Sequence, residues 1–138
     1  MKKKIVILGS TGSIGKTLIN ILKKDKKNIQ ILLLTTNKNI NLLLNQIKIF
    51  KVKNIIVTDM NKYYLIKKKL KKTDISIYNN FNSMGKIFNL KKIDYTMNSI
   101  SGLNGLLPTL KIIKYSKKIA IANKESIICG WSLITKEL

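Results

Sequence analysis

Near its start the chain sets a glycine-rich turn between a short apolar run and an amphipathic stretch, and no other feature narrows the possible folds as much. Residues 5–8 are apolar and rich in β-branched side chains, Gly9-Ser10-Thr11-Gly12-Ser13-Ile14-Gly15 follows at once, and Ile14, Leu18, Ile21 and Leu22 then recur at helical spacing. Glycine allows the tight turn that passes a strand directly into a helix. A strand feeding a helix through so short a turn is the first half of a βαβ unit.

The alternation continues along the chain. Strands are expected at 4–8, 29–34, 54–57, 74–78, 95–97 and 118–122. The run at 29–34 is nearly all apolar, as a strand covered on both faces should be. Helices are expected from Ile14 to an end among the lysines of 23–27, at 41–50, at 62–70, more weakly at 81–88 with an interruption at Gly85, from about Pro108 to Tyr115, and from near Ser126 onward. The lysine-studded helix at 62–70 reads as solvent-facing. Pro108 sits in a first turn, where its missing N–H costs nothing. This order predicts an α/β fold, Rossmann-like and doubly wound around a mostly parallel sheet. With no repeat, no low-complexity segment and no Pro-rich boundary, residues 1–138 are expected to form one domain.

Composition excludes several kinds of function. The formal net charge is +21, yet every basic residue is Lys. Arg, the side chain suited to bidentate recognition of bases and phosphates, is absent. The lysines are also scattered, at 2–4, 23–27, 67–72, 91–92 and 117–118, which argues against a nucleic-acid partner. The lone Cys129 excludes an internal disulfide and is read as a small buried hydrophobe. Basic residues precede the apolar run at 5–8, but that run is too short for a secretion signal and no stretch is long enough to cross a bilayer, so no membrane is expected and the cytoplasm is the simplest location. There is no His, and the six carboxylates Asp25, Asp59, Asp74, Asp94, Glu125 and Glu137 are spaced singly. Neither a catalytic triad, a metal cluster nor a paired acid and base is visible, so no catalytic or metal-ligating residue is assigned within the chain.

Function is expected at three loops. The glycine turn lies where dinucleotide folds place their pyrophosphate loop, with the amides of Thr11, Gly12, Ser13 and Ile14 facing outward at the positive helix end and Gly15 allowing close helix packing. After the second strand comes Thr35-Thr36-Asn37-Lys38-Asn39. It lacks the carboxylate that would bind a ribose 2′-hydroxyl, and Lys38 offers charge to a 2′-phosphate, which favours NADP over NAD. The third loop, Asn123-Lys124-Glu125-Ser126, follows the last strand. Lys124 suits a substrate oxygen or phosphate, while the same four residues also suit a helix start capped by Asn123 or Ser126. Spacing alone leaves both readings open.

Several blocks resemble one family in order and spacing. Ile7 to Gly15 (I-L-G-S-T-G-S-I-G), Lys38-Asn39, Gly105-Leu-Leu-Pro-Thr109 and Ala120-Ile-Ala-Asn-Lys-Glu-Ser126 are similar to the signatures of 1-deoxy-D-xylulose-5-phosphate reductoisomerases. The first block also fits other dehydrogenases, such as aspartate-semialdehyde dehydrogenase; the last two in this order are specific. The resemblance implies NADPH contacts from Thr11, Gly12, Ser13, Ile14, Lys38, Asn39, Asn123 and Glu125, and a substrate contact from Lys124. It implies isomerisation of 1-deoxy-D-xylulose 5-phosphate and NADPH-dependent reduction to 2-C-methyl-D-erythritol 4-phosphate, an early step of isoprenoid precursor synthesis, with a divalent metal (Mg or Mn) and a homodimeric full-length protein. Asn37 stands where the family commonly has Gly, and Asn tolerates a left-handed backbone. The family's metal-binding carboxylates, most of its phosphate site, its lid and its helical carboxyl-terminal domain come after the last of these blocks. The expectation is therefore an NADPH-binding part, inactive as a separate 138-residue protein. The competing readings are a non-catalytic NADP-binding remnant and a Lys-rich nucleic-acid-binding module.

Overall fold

A computed structural model describes residues 1–89 and 92–138; Lys91, one of the scattered lysines, lies outside them. The chain runs β1 (Lys3–Leu8), α1 (Ser13–Leu22), β2 (Ile29–Thr36), α2 (Ile40–Phe50), β3 (Asn54–Val57), α3 (Met60–Lys69), β4 (Ser76–Tyr78), α4 (Met84–Phe88), β5 (Tyr95–Asn98), α5 (Leu106–Ile112), β6 (Ile119–Ile121) and α6 (Lys124–Glu137). The six strands form one sheet in the order β4-β3-β2-β1-β5-β6. Every pairing is parallel. From β1 the chain first winds outward through β2, β3 and β4, then returns to place β5 on the other side of β1. The order thus reverses between β1 and β5, and loops leaving these neighbours diverge to open a crevice at the carboxyl edge.

Two apolar layers hold the sheet, because alternate strand residues point to opposite faces. On one face Ile5 and Ile7 of β1 and Ile55 and Val57 of β3 pack under Ile19 of α1, Leu43 and Ile47 of α2 and Ile66 of α3. On the other, Val6 and Leu8 meet Met84, Ile87 and Phe88 of α4 and Ile112 of α5. The β1–β2 register slips between Ile5 and Val6, which pair with Ile31 and Leu33. Consequently Leu32 and Leu33 both turn to the second face, and β2 resumes on the first face with Leu34.

Several sequence expectations need correction. The doubly wound α/β fold around a parallel sheet is as expected, and the differences lie in single elements. In α1 the buried residues are Gly15 and Ile19, supported by Leu18 and Leu22, whereas Ile14 and Ile21 are 45% and 58% exposed. The close approach of Gly15 to the first loop sets the helix rotation and leaves Ile14 and Ile21 on its flank. Gly85 does not interrupt a helix; it lies inside α4, and the irregular part is the 3-10 turn Phe81–Ser83 before it. The strand expected from residue 74 begins at Ser76, because Asp74 turns to solvent and pairs with Lys53 at 2.7 Å. The last helix starts at Lys124 rather than near Ser126: Asn123 caps it, its Oδ1 accepting the Ser126 N–H at 2.9 Å. Cys129, expected to be buried, is exposed on α6.

Candidate dinucleotide site

The loops after β1, β2 and β5 meet at the sheet's carboxyl edge around a cleft of about 630 Å³. Gly9, Thr11 and Gly12 form one wall, Thr35 to Asn37 another, and the segment from Ser99 to Pro108 the third. Leu103 and Leu107 line it while remaining 58% and 53% exposed.

Three glycines shape the first loop for different reasons. Gly9 has φ +76°, and a Cβ there would come within 3.2 Å of the Ser99 carbonyl carbon and the Ile100 amide. Its backbone conformation and its closeness to the β5 loop both require glycine. At Gly15 a Cβ would overlap the Gly9 carbonyl oxygen and lie 2.7 Å from Ser10 Cα, so α1 can approach β1 only with glycine there. Gly12 differs. Its φ and ψ are −76° and 176°, and a Cβ would meet nothing nearer than the Gly9 oxygen at 3.6 Å. Neither the chain's packing nor its backbone demands glycine at 12. What its missing side chain leaves open is space in the cleft.

α1 has no side-chain cap. Its first helical bond runs from Lys16 N–H to the Gly12 carbonyl at 2.8 Å. The amides of Thr11, Ser13 and Ile14 find no protein acceptor among the described residues, whereas the Gly12 amide turns inward to Gly9 O at 3.2 Å. Of the four amides expected to face outward, Gly12's therefore does not: the turn itself consumes it. The three free donors sit at the positive end of a ten-residue helix, an arrangement that favours an anion.

Polar contacts that sequence reasoning missed hold this loop. Thr35 Oγ1 accepts the Gly9 N–H at 2.8 Å, and the Thr35 carbonyl accepts the Ser10 N–H at 2.9 Å. Ser99 Oγ lies 2.7 Å from the Leu8 carbonyl and 2.9 Å from that of Gly9. Thr11 and Thr36 share a hydroxyl–hydroxyl hydrogen bond. Gln46, buried on α2, bonds both the side chain and the carbonyl of Ser10. One signal for Gln46 was readable: it falls beside Leu43 and Ile47 on the face of α2 that must be buried.

At the second loop, Asn37 is not left-handed; the described non-glycine residues with positive φ are Lys51 and Asn89. Asn37 instead accepts the Thr58 hydroxyl through Oδ1 at 2.9 Å and the Asp59 amide through its carbonyl at 3.2 Å. Lys38 is exposed and makes no ion pair among the described residues. Asn39 caps α2, its Oδ1 accepting the Leu42 amide at 3.2 Å. At the third loop, Asn123 is buried and ties α6 to the β5 loop, its Nδ2 donating to the Ile100 carbonyl at 2.7 Å. Gly105 leaves room for that carboxamide, and Asn98 Nδ2 bonds the Gly105 carbonyl at 2.7 Å. Lys124 is exposed and Glu125 half-buried in the first turn of α6; neither they nor Asn123, Lys38, Asn39, Ser13 or Ile14 wall the central cleft.

The carboxylates with shifted titration lie at the opposite edge of the sheet. The Lys117 ammonium, then the Lys4 amide, hold the Asp94 carboxyl below the usual range, and Lys53 does the same for Asp74. Among the described residues no three His, Cys, Asp or Glu side chains converge as metal ligands, and no helix is long and apolar enough to cross a membrane.

A parallel sheet that reverses order beside β1, with a glycine turn leading into a helix whose first amides are free, defines a doubly wound domain of the dinucleotide-binding class. A family profile described as 1-deoxy-D-xylulose 5-phosphate reductoisomerase matches residues 5–130, and the chain belongs to that family. It is 59% identical over 137 residues to the 1-deoxy-D-xylulose 5-phosphate reductoisomerase of Pelagibacter ubique, covering 99% of this chain and 35% of that protein. With the Clostridium kluyveri reductoisomerase the identity is 37% over 136 residues, covering 97% and 35%. Among solved structures, the Zymomonas mobilis reductoisomerase in complex with NADPH superposes with a TM-score of 0.87 at 27% identity, covering 99% of this chain and 36% of that one. A reductoisomerase in complex with NADPH, fosmidomycin and magnesium gives a TM-score of 0.87, covering 98% and 33%. The chain thus spans about a third of the length of the relatives it matches.

Proposed function

We propose that the chain is the NADPH-binding part of a reductoisomerase that converts 1-deoxy-D-xylulose 5-phosphate to 2-C-methyl-D-erythritol 4-phosphate in isoprenoid precursor synthesis. The observation that carries this reading is the open space at Gly12 beside the free amides of Thr11, Ser13 and Ile14. That combination fits a diphosphate, which needs donors and close backbone approach together.

On this reading Thr11, Ser13 and Ile14 donate to the diphosphate and Gly12 admits it. Lys38 supplies the charge for a 2′-phosphate, and Asn39, whose Oδ1 caps α2, offers its remaining N–H donors to the same group. Asn123 holds the third loop against the β5 loop through the Ile100 carbonyl and, on this reading, presents its main chain to the cofactor, with Glu125 beside it. On the same reading Lys124, exposed at the start of α6, binds a substrate oxygen. NADPH, when bound, supplies the hydride for the reduction. No three described His, Cys, Asp or Glu side chains group as metal ligands, and the 138 residues are expected to bind NADPH without turning over the sugar phosphate. We place the protein in the cytoplasm as part of a homodimer, on the strength of the family membership.

Fluorescence titration with NADPH and NADH tests the reading. Saturable binding with about tenfold or greater preference for NADPH is expected, the effect of one charge-assisted contact to the 2′-phosphate. Equal affinity for the two nucleotides would remove the case for NADP, and steeply salt-dependent DNA binding without nucleotide affinity would favour the nucleic-acid module instead.

A further inference from the structure

We infer that Gln46 is a positioning residue for cofactor binding: from the buried face of α2 it clamps Ser10 and so fixes the direction of the phosphate-binding amides. The inference rests on the NADPH reading of the cleft. Gln46 is 2% exposed and Ser10 is fully buried. Gln46 Oε1 accepts the Ser10 hydroxyl at 2.7 Å, and Gln46 Nε2 donates to the Ser10 carbonyl at 2.9 Å. One carboxamide therefore closes both the side chain and the main chain of a single loop residue.

Nothing else in the loop fixes that carbonyl. α1 makes its first helical bond to Gly12, two residues later, and no backbone amide among the described residues reaches Ser10 O. The Ser10 amide is held from the other side by Thr35 O at 2.9 Å, and α1 approaches at Gly15 so closely that an added Cβ there would lie 2.7 Å from Ser10 Cα. With the clamp in place Ser10 is gripped on three sides, and the peptides that follow, carrying the free amides of Thr11, Ser13 and Ile14, have a set orientation. Donors aimed in advance bind an anion better than donors that must be ordered on binding. Gln46 touches no part of the cleft, so its effect is indirect.

Packing alone would place an apolar side chain at 46, alongside Leu43 and Ile47. Such a residue would strand a buried carbonyl, which needs a partner, and leave the buried Ser10 hydroxyl only its longer contact to Thr35 O at 3.4 Å. Gln46→Met keeps the length and volume of the side chain while removing both hydrogen bonds.

The experiment compares the chain with Gln46→Met by amide hydrogen exchange without nucleotide and by titration with NADPH and with adenosine 2′-monophosphate, which carries the 2′-phosphate but no diphosphate. Faster exchange is expected at the bonded loop amides, Ser10 (to Thr35 O) and Gly12 (to Gly9 O), with NADPH binding weakened about tenfold and adenosine 2′-monophosphate binding unchanged. A core variant far from the loop, Ile66→Val, should lower the melting temperature and leave both affinities alone. Unchanged exchange at the loop, or parallel weakening of both ligands, overturns the positioning role. If Gln46→Met does not fold, Ser10→Ala removes the hydroxyl half of the clamp and should show a smaller loss confined to NADPH; no loss overturns the inference. Failure of the unsubstituted chain to bind NADPH would instead sink the functional reading, and the exchange comparison separates that result from failure of the clamp.

Discussion

Gly12 and Gly15, three residues apart in one loop, should respond oppositely to the same substitution. At Gly15 the added methyl overlaps the Gly9 carbonyl oxygen and lies 2.7 Å from Ser10 Cα and carbonyl carbon, against 3.4 Å for ordinary contact, so α1 must withdraw by more than about 0.7 Å. The obstructing atoms are main chain and cannot rotate away. Overpacking of this kind costs up to about 3 kcal/mol, offset by about 1 kcal/mol of helix propensity gained when Ala replaces Gly. The net loss of about 2 kcal/mol corresponds to a melting temperature roughly 8 °C lower for a domain of this size. At Gly12 the backbone is extended and the nearest protein atom to a Cβ is 3.6 Å away, so Gly12→Ala should hold or raise stability by about 0.4–1 kcal/mol through a less flexible unfolded chain. Its methyl, however, enters the space assigned to the diphosphate, and NADPH should bind about tenfold or more weakly. Thermal denaturation followed by circular dichroism, together with nucleotide titration, reads both effects. Undiminished NADPH affinity in a folded Gly12→Ala protein would refute the assignment of the loop, and a Gly15→Ala protein that melts no lower than the parent would refute the close approach of α1.

Further outcomes follow from individual contacts. Lys38→Glu should collapse the preference for NADPH over NADH by about tenfold, measured as the ratio of two dissociation constants, because a carboxylate replaces the cation assigned to the 2′-phosphate and suits a ribose hydroxyl. Asp59 caps α3, its Oδ1 accepting the Lys62 amide at 3.0 Å, so Asp59→Ala should lose about 1 kcal/mol and melt about 4 °C lower. Asp94 accepts the Lys117 ammonium and the Lys4 amide, both at 2.8 Å, which depresses its folded pKa. Its stabilisation is therefore present above about pH 4 and is lost as pH falls through the folded value. Acid titration of the melting temperature should show a shallower decline below that pH for Asp94→Asn than for the parent.

The sequence carried the sheet and the place of the cleft because both follow from short-range patterns: period-two apolar runs mark strands, and a glycine turn between one such run and a helix marks the carboxyl edge. What it hid depends on contacts between distant segments. Ile14 and Ile21 satisfy helical spacing as well as Ile19 does, and Ile19 is buried with Gly15, on the side of α1 that approaches the first loop closely. The loop 123–126 read equally well as a site for Lys124 to bind substrate and as a helix start capped by Asn123 or Ser126, and the fold shows Asn123 as a cap that also reaches the Ile100 carbonyl 23 residues away. Gln46 is the most telling case. Alone it is an ordinary polar residue of a helix, 36 positions from its partner Ser10. The buried stripe of α2 was legible, so a polar residue upon it was detectable as an anomaly, but the answering group came from a loop whose carbonyl lacks any other donor. Turns and strands are written locally, while the polar contacts that aim a binding loop are written in pairs, and one member of such a pair does not identify the other until the fold brings them together.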